Sequence, residues 1–110
     1  MTVFNIRRRA PQPGDVYIGR AGHGLDGYFG NPIRRGELCP MCDEVHEERG
    51  STLHCFEAWA KQRLREDPVY RERVKNLHGK NLGCFCVPSP CHGSILARLA
   101  RGLQPPSPDL

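Results

Sequence analysis

The chain has 110 residues, enough for one small domain, and 38% of them are hydrophobic. Its formal net charge of +4 suits an anionic partner without requiring one. There is no run of about 18 apolar residues, and the N-terminus lacks a signal peptide's order of charges, so we expect a cytoplasmic protein with no membrane span. Six cysteines in such a reducing compartment indicate metal ligands or reactive thiols rather than disulfides.

The first half of the chain predicts two short strands. Residues 2–6 and 16–18 are rich in β-branched and aromatic side chains, which is typical of strands. Residues 7–14 between them carry two prolines and a glycine and are expected to form a loop. The arginines are grouped, at 7–9 and 34–35 for example, and such groups are often only a solvated face.

The second strand runs into a glycine-rich stretch that ends at residue 32. A strand followed by glycines lets backbone amides approach an anion closely. The glycine spacing matches neither a P-loop nor a dinucleotide fingerprint, and turn chemistry alone is the competing interpretation. His23 adds a further polar group here. The candidate ligand-binding residues are Tyr17, Gly19, Arg20, Gly30, Asn31 and Pro32.

A Cys-x-x-Cys knuckle follows in an acidic stretch. Cys39 and Cys42 can point both sulfurs at one centre about 2.3 Å from each. His46 and Cys55 are the nearest residues that complete a tetrahedron, and His54 is an alternative to either. A redox pair is the other interpretation, but a thioredoxin-like pair follows a strand and opens a helix. We therefore predict a structural zinc ion held by Cys39, Cys42, His46 and Cys55.

The second half of the chain predicts helices. Apolar side chains recur at helical spacing from residue 53 to about 66 and predict a first helix, with Ser51 or Thr52 as its N-cap. The Trp and Phe of this helix are expected in the core. Asp67 is expected to cap a second helix that begins at Pro68, and Gly79 to end it. A third strand is predicted at 82–87, and a last helix opens at 91–92.

This order of elements favours a small single-domain α/β fold. We expect a sheet of about three or more strands with helices packed on it. The domain would span residues 1–103, with the zinc knuckle inserted at 37–55. Residues 104–110 are proline-rich and predicted to be a disordered tail.

A second cysteine cluster precedes the last helix, and three interpretations remain open. Cys84, Cys86, Cys91 and His92 would supply four ligands for a second metal. Alternatively, Cys91 is a nucleophile, activated at a helix N-terminus, with His92 or His23 as its acid or base. In the third, the cysteines simply fill buried space. Neighbouring side chains diverge on a helix, which counts against a direct contact between Cys91 and His92.

Several motifs together resemble a known family. They are Val16-Tyr17-Ile18-Gly19-Arg20, Gly30-Asn31-Pro32, and Leu82-Gly83-Cys84-Phe85-Cys86 followed by Pro88, Pro90, Cys91, His92 and Gly93. The family comprises small bacterial and phage proteins and is known as domain of unknown function 4326. The resemblance extends from about Thr2 to Leu99 and implies an intracellular, often phage-encoded protein with no established activity. In the subgroup of this family with an inserted knuckle, a helix that starts with Thr-Leu-x-Cys follows the knuckle, and residues 52–55 match that motif. The resemblance therefore favours Cys55 over His54 as a ligand.

The sequence therefore predicts a zinc-binding protein that binds a phosphate-bearing ligand, either a nucleotide or a nucleic acid. The ligand would lie where Arg20, Asn31 and the start of the last helix meet, because helix N-termini attract anions. The first alternative is an enzyme of nucleotide or base modification that uses Cys91 and His92. The second is a phage-type protein that modulates a host partner. The sequence leaves the oligomeric state open.

Overall fold

The computed structural model describes residues 3–22, 24–48, 50–85 and 91–105. Three strands and three helices follow one another in the predicted order, which confirms the α/β class. Among these residues, no helix has the length and apolar composition needed to cross a membrane. The elements are β1 (Val3–Asn5), β2 (Val16–Tyr17), α1 (Leu53–Glu66), α2 (Pro68–Lys75), β3 (Leu82–Cys84) and α3 (His92–Gly102).

The three strands form a parallel sheet in the order β1-β3-β2. Gly83 of the central strand is in register with Phe4 on one side and Tyr17 on the other. All three residues of β3 are buried, as expected for a strand covered on both faces. Because the strands are parallel, their carboxyl ends meet at one edge, so the glycine-rich stretch and the chain after β3 leave the sheet side by side.

The strands are shorter than the sequence predicted. β1 lies within the predicted 2–6, and β2 ends one residue before Ile18, although the Ile18 N–H still donates to the Gly83 carbonyl at 2.9 Å. The third strand, predicted to reach residue 87, ends at Cys84. Residues 86 and 87, the strand-breaking Pro88 and Pro90, and Thr2 lie outside the described residues.

Of the predicted helix N-caps, one makes its cap hydrogen bonds and another does not. Asp67 accepts hydrogen bonds from the Val69 and Tyr70 N–H groups, both at 3.0 Å, so it caps α2 as predicted. Thr52 occupies the N-cap position of α1, but its hydroxyl makes no cap hydrogen bond and instead accepts one from the Asn31 side chain. α2 ends at Lys75, and turns carry the chain on to Gly79.

The core lies between the sheet and the helices. Phe56 is fully buried, and the ring of the half-buried Trp59 lies 5.8 Å from it, which agrees with the expectation that both are core residues. Gln104, in the predicted tail, donates to the carbonyls of Lys75 and Ala100 at 2.9 Å. Residues 106–110 lie outside the described residues. The largest fully buried side chains include Tyr70, Phe56, Ile18, Ile33, Leu77 and Leu82.

The start of α3 packs directly on the sheet at Gly93. A Cβ atom there would lie 2.7 Å from Ile18 Cδ1 and 2.9 Å from Val3 Cγ1, closer than carbon atoms can pack. The glycine after His92 therefore lets the helix approach the strands, and it brings the neighbouring Cys91 and His92 against the carboxyl edge of the sheet.

We predict that Gly93→Ala lowers the free energy of unfolding by about 1–3 kcal/mol, because the added methyl group overpacks the helix–sheet contact. Gly102→Ala is a matched control in the same helix, since a Cβ atom there has no neighbour within 4 Å. It should leave stability unchanged or raise it by less than about 1 kcal/mol. Urea unfolding of both variants measures the difference, and equal stabilities would contradict the close approach.

Candidate metal centre and the cavity beside it

A small hairpin presents the knuckle cysteines. Leu38 and Val45 form an antiparallel bridge, and inside it the Cys39 N–H donates to the Glu44 carbonyl at 2.8 Å. The Asp43 N–H returns a bond to the Cys39 carbonyl at 2.9 Å. Asp43 has a φ of 59°, a left-handed conformation that the short polar side chain of Asp tolerates. The chain therefore turns back tightly around the cysteine pair.

The structure brings the four predicted metal ligands together. The ligand atoms of Cys39, Cys42, His46 and Cys55 all lie within 4.8 Å of one another, and Cys42 Sγ is 3.4 Å from His46 Nε2. Four atoms about 2.3 Å from a tetrahedral centre lie about 3.8 Å apart, so this spacing suits a metal ion. His54 is exposed and outside the cluster. No other such set of three or more ligating side chains occurs in the described part of the chain.

The surroundings of the cluster shift the pKa values of two of its thiols in opposite directions. Burial opposes ionisation of Cys39, but hydrogen bonds from the Met41 and Cys42 N–H groups and from His46 outweigh it and lower its pKa to about 7. Burial and the neighbouring Cys42 and Cys39 sulfurs raise the pKa of Cys55 to about 12. The raised pKa favours the protonated form of Cys55, and a cation between the ligands would displace its proton.

The cluster joins the hairpin at 38–46 to the first turn of α1. Cys55 is buried in the first turn of α1, whereas the other three ligands belong to the hairpin at 38–46. The Gly36 N–H also donates to the His46 carbonyl at 2.9 Å, which closes the base of the hairpin. A bound metal would therefore hold the hairpin on the start of α1.

A cavity of about 590 Å³ lies beside the hairpin, at the carboxyl edge of the sheet. Open α/β sheets place their ligands at this edge. Two helix starts line it, α1 with Thr52 and Leu53 and α3 with Cys91 and His92. The other side chains that give the cavity its character are the arginines Arg20, Arg34 and Arg35, the aromatics Tyr17 and Phe85, and Glu37.

The predicted ligand-binding residues are divided between this cavity and a smaller hollow of about 210 Å³. Tyr17 and Gly19 line the main cavity, Gly30 and Pro32 line the hollow, and Arg20 and Asn31 line both. A Cβ atom at Gly30 would lie 2.9 Å from the Gly19 carbonyl oxygen and 3.0 Å from Arg20 Cα. Gly30 is therefore required for two loop segments to pack together.

Arg20 and Asn31 build the cavity wall through contacts within the protein. The Arg20 guanidinium donates to the carbonyls of Asn31 at 3.1 Å and Ile33 at 3.0 Å. The buried Asn31 side chain accepts from the Ile33 N–H at 2.9 Å and donates to Thr52 Oγ1 at 3.0 Å. These bonds fix residues 31–33 against the start of α1 and direct the following Arg34 towards the cavity.

Arg34 and Arg35 are cavity residues that the sequence did not place in a site. Their signal was present as a pair of arginines directly after Gly30-Asn31-Pro32, but the pair was indistinguishable from a solvated face. Arg34 lies 3.9 Å from Glu37 in an exposed ion pair, which contributes little to stability. Their position at the cavity depends on the Asn31 and Arg20 contacts, which no local pattern reveals.

Cys91 is the N-cap of α3 and makes close contacts with two other chemically active side chains. Its Sγ accepts the Gly93 N–H at 3.3 Å and lies 3.1 Å from Cys84 Sγ and 3.8 Å from His92 Nδ1. The expectation that Cys91 and His92 diverge was wrong, because Cys91 has extended backbone angles and stands outside the helical spacing. Cys86 and His23, the other members proposed for this site, lie outside the described residues.

The His92 ring is held in one orientation at the sheet edge. Its Nε2 lies 2.6 Å from the Ile18 carbonyl oxygen, and a carbonyl only accepts, so Nε2 carries the proton. Burial lowers the pKa of His92, which favours the neutral ring. In that form Nδ1, on the side of Cys91 Sγ, is a hydrogen-bond acceptor.

Fold and site together define a small α/β domain with a parallel sheet, a Cys/His cluster that could hold a metal ion, and a cavity at the sheet edge. Residues 4–102 match the family described as Domain of unknown function (DUF4326), and the chain belongs to this family. It is also 32% identical over 62 residues to the uncharacterized 12.4 kDa protein in the nrdA-td intergenic region of Enterobacteria phage T4. That match covers 54% of this chain and 57% of the phage protein. No solved structure matches the chain.

The two candidate histidines give a direct test of the metal centre. We predict that His46→Ala weakens metal binding by more than about 100-fold, beyond the usual effect of losing an outer-shell partner. His54→Ala, next to Cys55 but exposed, should bind metal like the unaltered protein. Elemental analysis and competition with a chelator measure both, and an equal loss in the two variants would contradict the assigned ligand set.

Proposed function

We propose that the protein is a zinc-stabilised domain that binds a nucleotide, or the end of a single-stranded nucleic acid, through its phosphate in the cavity at the sheet edge. The observation that carries this proposal is the convergence of two helix N-termini with Arg34 and Arg35 around one cavity.

Zinc is the metal that best suits the Cys/His cluster. Three thiols and one imidazole, with ligand atoms within 4.8 Å of one another, form the Cys₃His set of structural zinc sites. Soft thiolate ligands select against magnesium and calcium, which prefer oxygen. With no open position among the four ligands, the ion would be structural, and it would hold the hairpin on α1.

Phosphate binding would depend on the positive charge that the helix dipoles and the arginines provide at the cavity. α1 and α3 have 14 and 11 residues, long enough for a developed dipole, and the first residues of both helices line the cavity. Arg34 and Arg35 add two guanidinium groups, which bind phosphate in a bidentate manner. Among the described residues that line the cavity, Glu37 is the one acidic side chain.

An aromatic wall suits the base of a nucleotide. Tyr17 and Phe85 meet edge to face with ring centroids 6.2 Å apart, and Phe85 is 38% exposed. Stacking on an aromatic ring contributes about 1–3 kcal/mol per base and tolerates any base. A volume of about 590 Å³ lies within the range of small-molecule sites, so a nucleotide fits better than a duplex.

Removing the two cavity arginines tests the binding site. We predict that the double change Arg34→Ala and Arg35→Ala weakens nucleotide binding by about 10-fold or more, because a hydrogen bond to a charged group contributes about 1.5–3 kcal/mol. Arg71→Ala, at an exposed position of α2, is the matched control and should have little effect. Calorimetric titration with nucleoside mono- and triphosphates at two salt concentrations measures the affinities.

Single- and double-stranded DNA extend that titration to nucleic acid. We expect single strands to bind more tightly than duplexes, and binding to weaken as salt rises. If neither nucleotides nor DNA bind at low salt, or if the Arg71 control weakens binding equally, the proposal fails.

A second candidate function is an enzyme of nucleotide or base modification with Cys91 as nucleophile. The contact of 3.8 Å between Cys91 Sγ and an acceptor nitrogen of His92 favours it, because a nucleophilic thiol needs a base in reach. We predict that Cys91→Ser would then keep nucleotide affinity but abolish product formation. Chromatography of nucleotides after incubation measures this, and unchanged nucleotides with the unaltered protein would contradict the enzyme.

A further inference from the structure

We propose that Cys84 and Cys91 form a redox-active dithiol at the floor of the cavity, which reacts with a low-molecular-weight disulfide such as glutathione disulfide. The inference goes beyond phosphate binding and does not require it. It depends on the contact between two buried sulfurs and on the access that the cavity provides to one of them.

The two thiols are placed for bond formation. Cys84 ends β3 and Cys91 caps α3, both are present as thiols, and their Sγ atoms lie 3.1 Å apart. A disulfide needs about 2.05 Å, so the atoms must approach by about 1 Å, within reach of side-chain rotation. Both sulfurs belong to well-packed elements, so the contact is a property of the fold.

Accessibility assigns a role to each sulfur. Cys91 lines the cavity and is 6% exposed, whereas Cys84 is fully buried behind it. Of the two thiols, only Cys91 belongs to the lining of the cavity, so it is the one that an incoming disulfide would meet first. Cys91 is the attacking thiol, and Cys84 is the resolving thiol that reacts from within the protein.

The surroundings of Cys91 favour its attack. The Gly93 N–H donates to Cys91 Sγ at 3.3 Å, and a donor at a helix N-terminus stabilises a thiolate. His92 Nδ1, 3.8 Å away, is an acceptor for the thiol proton, since Nε2 is committed to the Ile18 carbonyl. Such a pair of a thiol and an oriented base is the arrangement that activates a cysteine nucleophile.

The charge of the cavity matches the proposed co-reactant. Of the described residues, three arginines line it, Arg20, Arg34 and Arg35, together with one carboxylate, that of Glu37. Glutathione disulfide carries more carboxylates than ammonium groups, so the cavity attracts it.

The reaction is a pair of thiol–disulfide exchanges. The Cys91 thiolate attacks one sulfur of glutathione disulfide, breaks its S–S bond and releases a glutathione thiolate, which takes up the proton lost by Cys91. The Cys84 sulfur then attacks Cys91 Sγ and breaks the mixed disulfide, and the proton of Cys84 passes to the glutathione thiolate that leaves. The protein dithiol is oxidised to a disulfide, and one glutathione disulfide is reduced to two glutathione molecules.

Mass spectrometry of the full-length zinc-loaded protein in glutathione buffers tests the proposal. The unaltered protein should lose two hydrogens, and peptide mapping should show a Cys84–Cys91 bond. Cys84→Ser should stop with one glutathionyl group on Cys91, and Cys91→Ser should give neither product. Cys86→Ser is the matched control in the same stretch and should oxidise like the unaltered protein.

Two further measurements use the unaltered protein, so they do not depend on whether a variant folds. Brief alkylation of the unaltered reduced protein should label Cys91 well before Cys84, and equal labelling would overturn the assigned roles. Elemental analysis should find one zinc per chain. A second zinc that is lost in Cys84→Ser, a disulfide that uses Cys86, or no oxidation at all would overturn the dithiol. Nucleotide titration is independent of these results, so failure of one proposal is distinguishable from failure of the other.

Discussion

The position of β3 between β1 and β2 is the constraint on which the rest of the structure depends. Its backbone pairs with Val3–Asn5 on one side and Val16–Tyr17 on the other, although about 65 residues separate it from the nearer of them. Parallel pairing makes all three strands end at one edge. The loop after β2, the chain after β3 and the start of α3 therefore meet there, and the cavity is a consequence of that meeting.

Three consecutive residues at the start of α3, Cys91, His92 and Gly93, attach the helix to the sheet edge in different ways. Gly93 removes the side chain that would keep the helix away from the strands. His92 donates to the carbonyl of Ile18, a residue whose own N–H bonds to β3, and so ties the helix to the sheet edge. Cys91 caps the helix with its sulfur while it faces the cavity. The same three residues thus attach the helix to the sheet and place a thiol in the cavity wall.

The Cys/His cluster is where a bound metal would stabilise the conformation of a polar hairpin. Residues 37–48 carry five acidic side chains, and the hydrophobic Leu38 and Val45 remain exposed, so the hairpin has little apolar contact of its own. Cys39 is the one buried residue of this hairpin. A metal ion would attract thiolates that otherwise repel one another, and it would hold the hairpin on the start of α1.

The sequence by itself determined the order of the elements, the cap at Asp67 and the residues that converge in the Cys/His cluster, because spacing and local propensity act over a few residues. Only the tertiary structure decided that Arg34 and Arg35 face a cavity and that Cys91 lies against both Cys84 and His92. Those contacts depend on strand pairing and on the bonds of Arg20 and Asn31 to distant backbone and to Thr52. Cysteines seven residues apart and an arginine pair have no local pattern that reveals their partners, since the partners are chosen by how the chain folds back on itself.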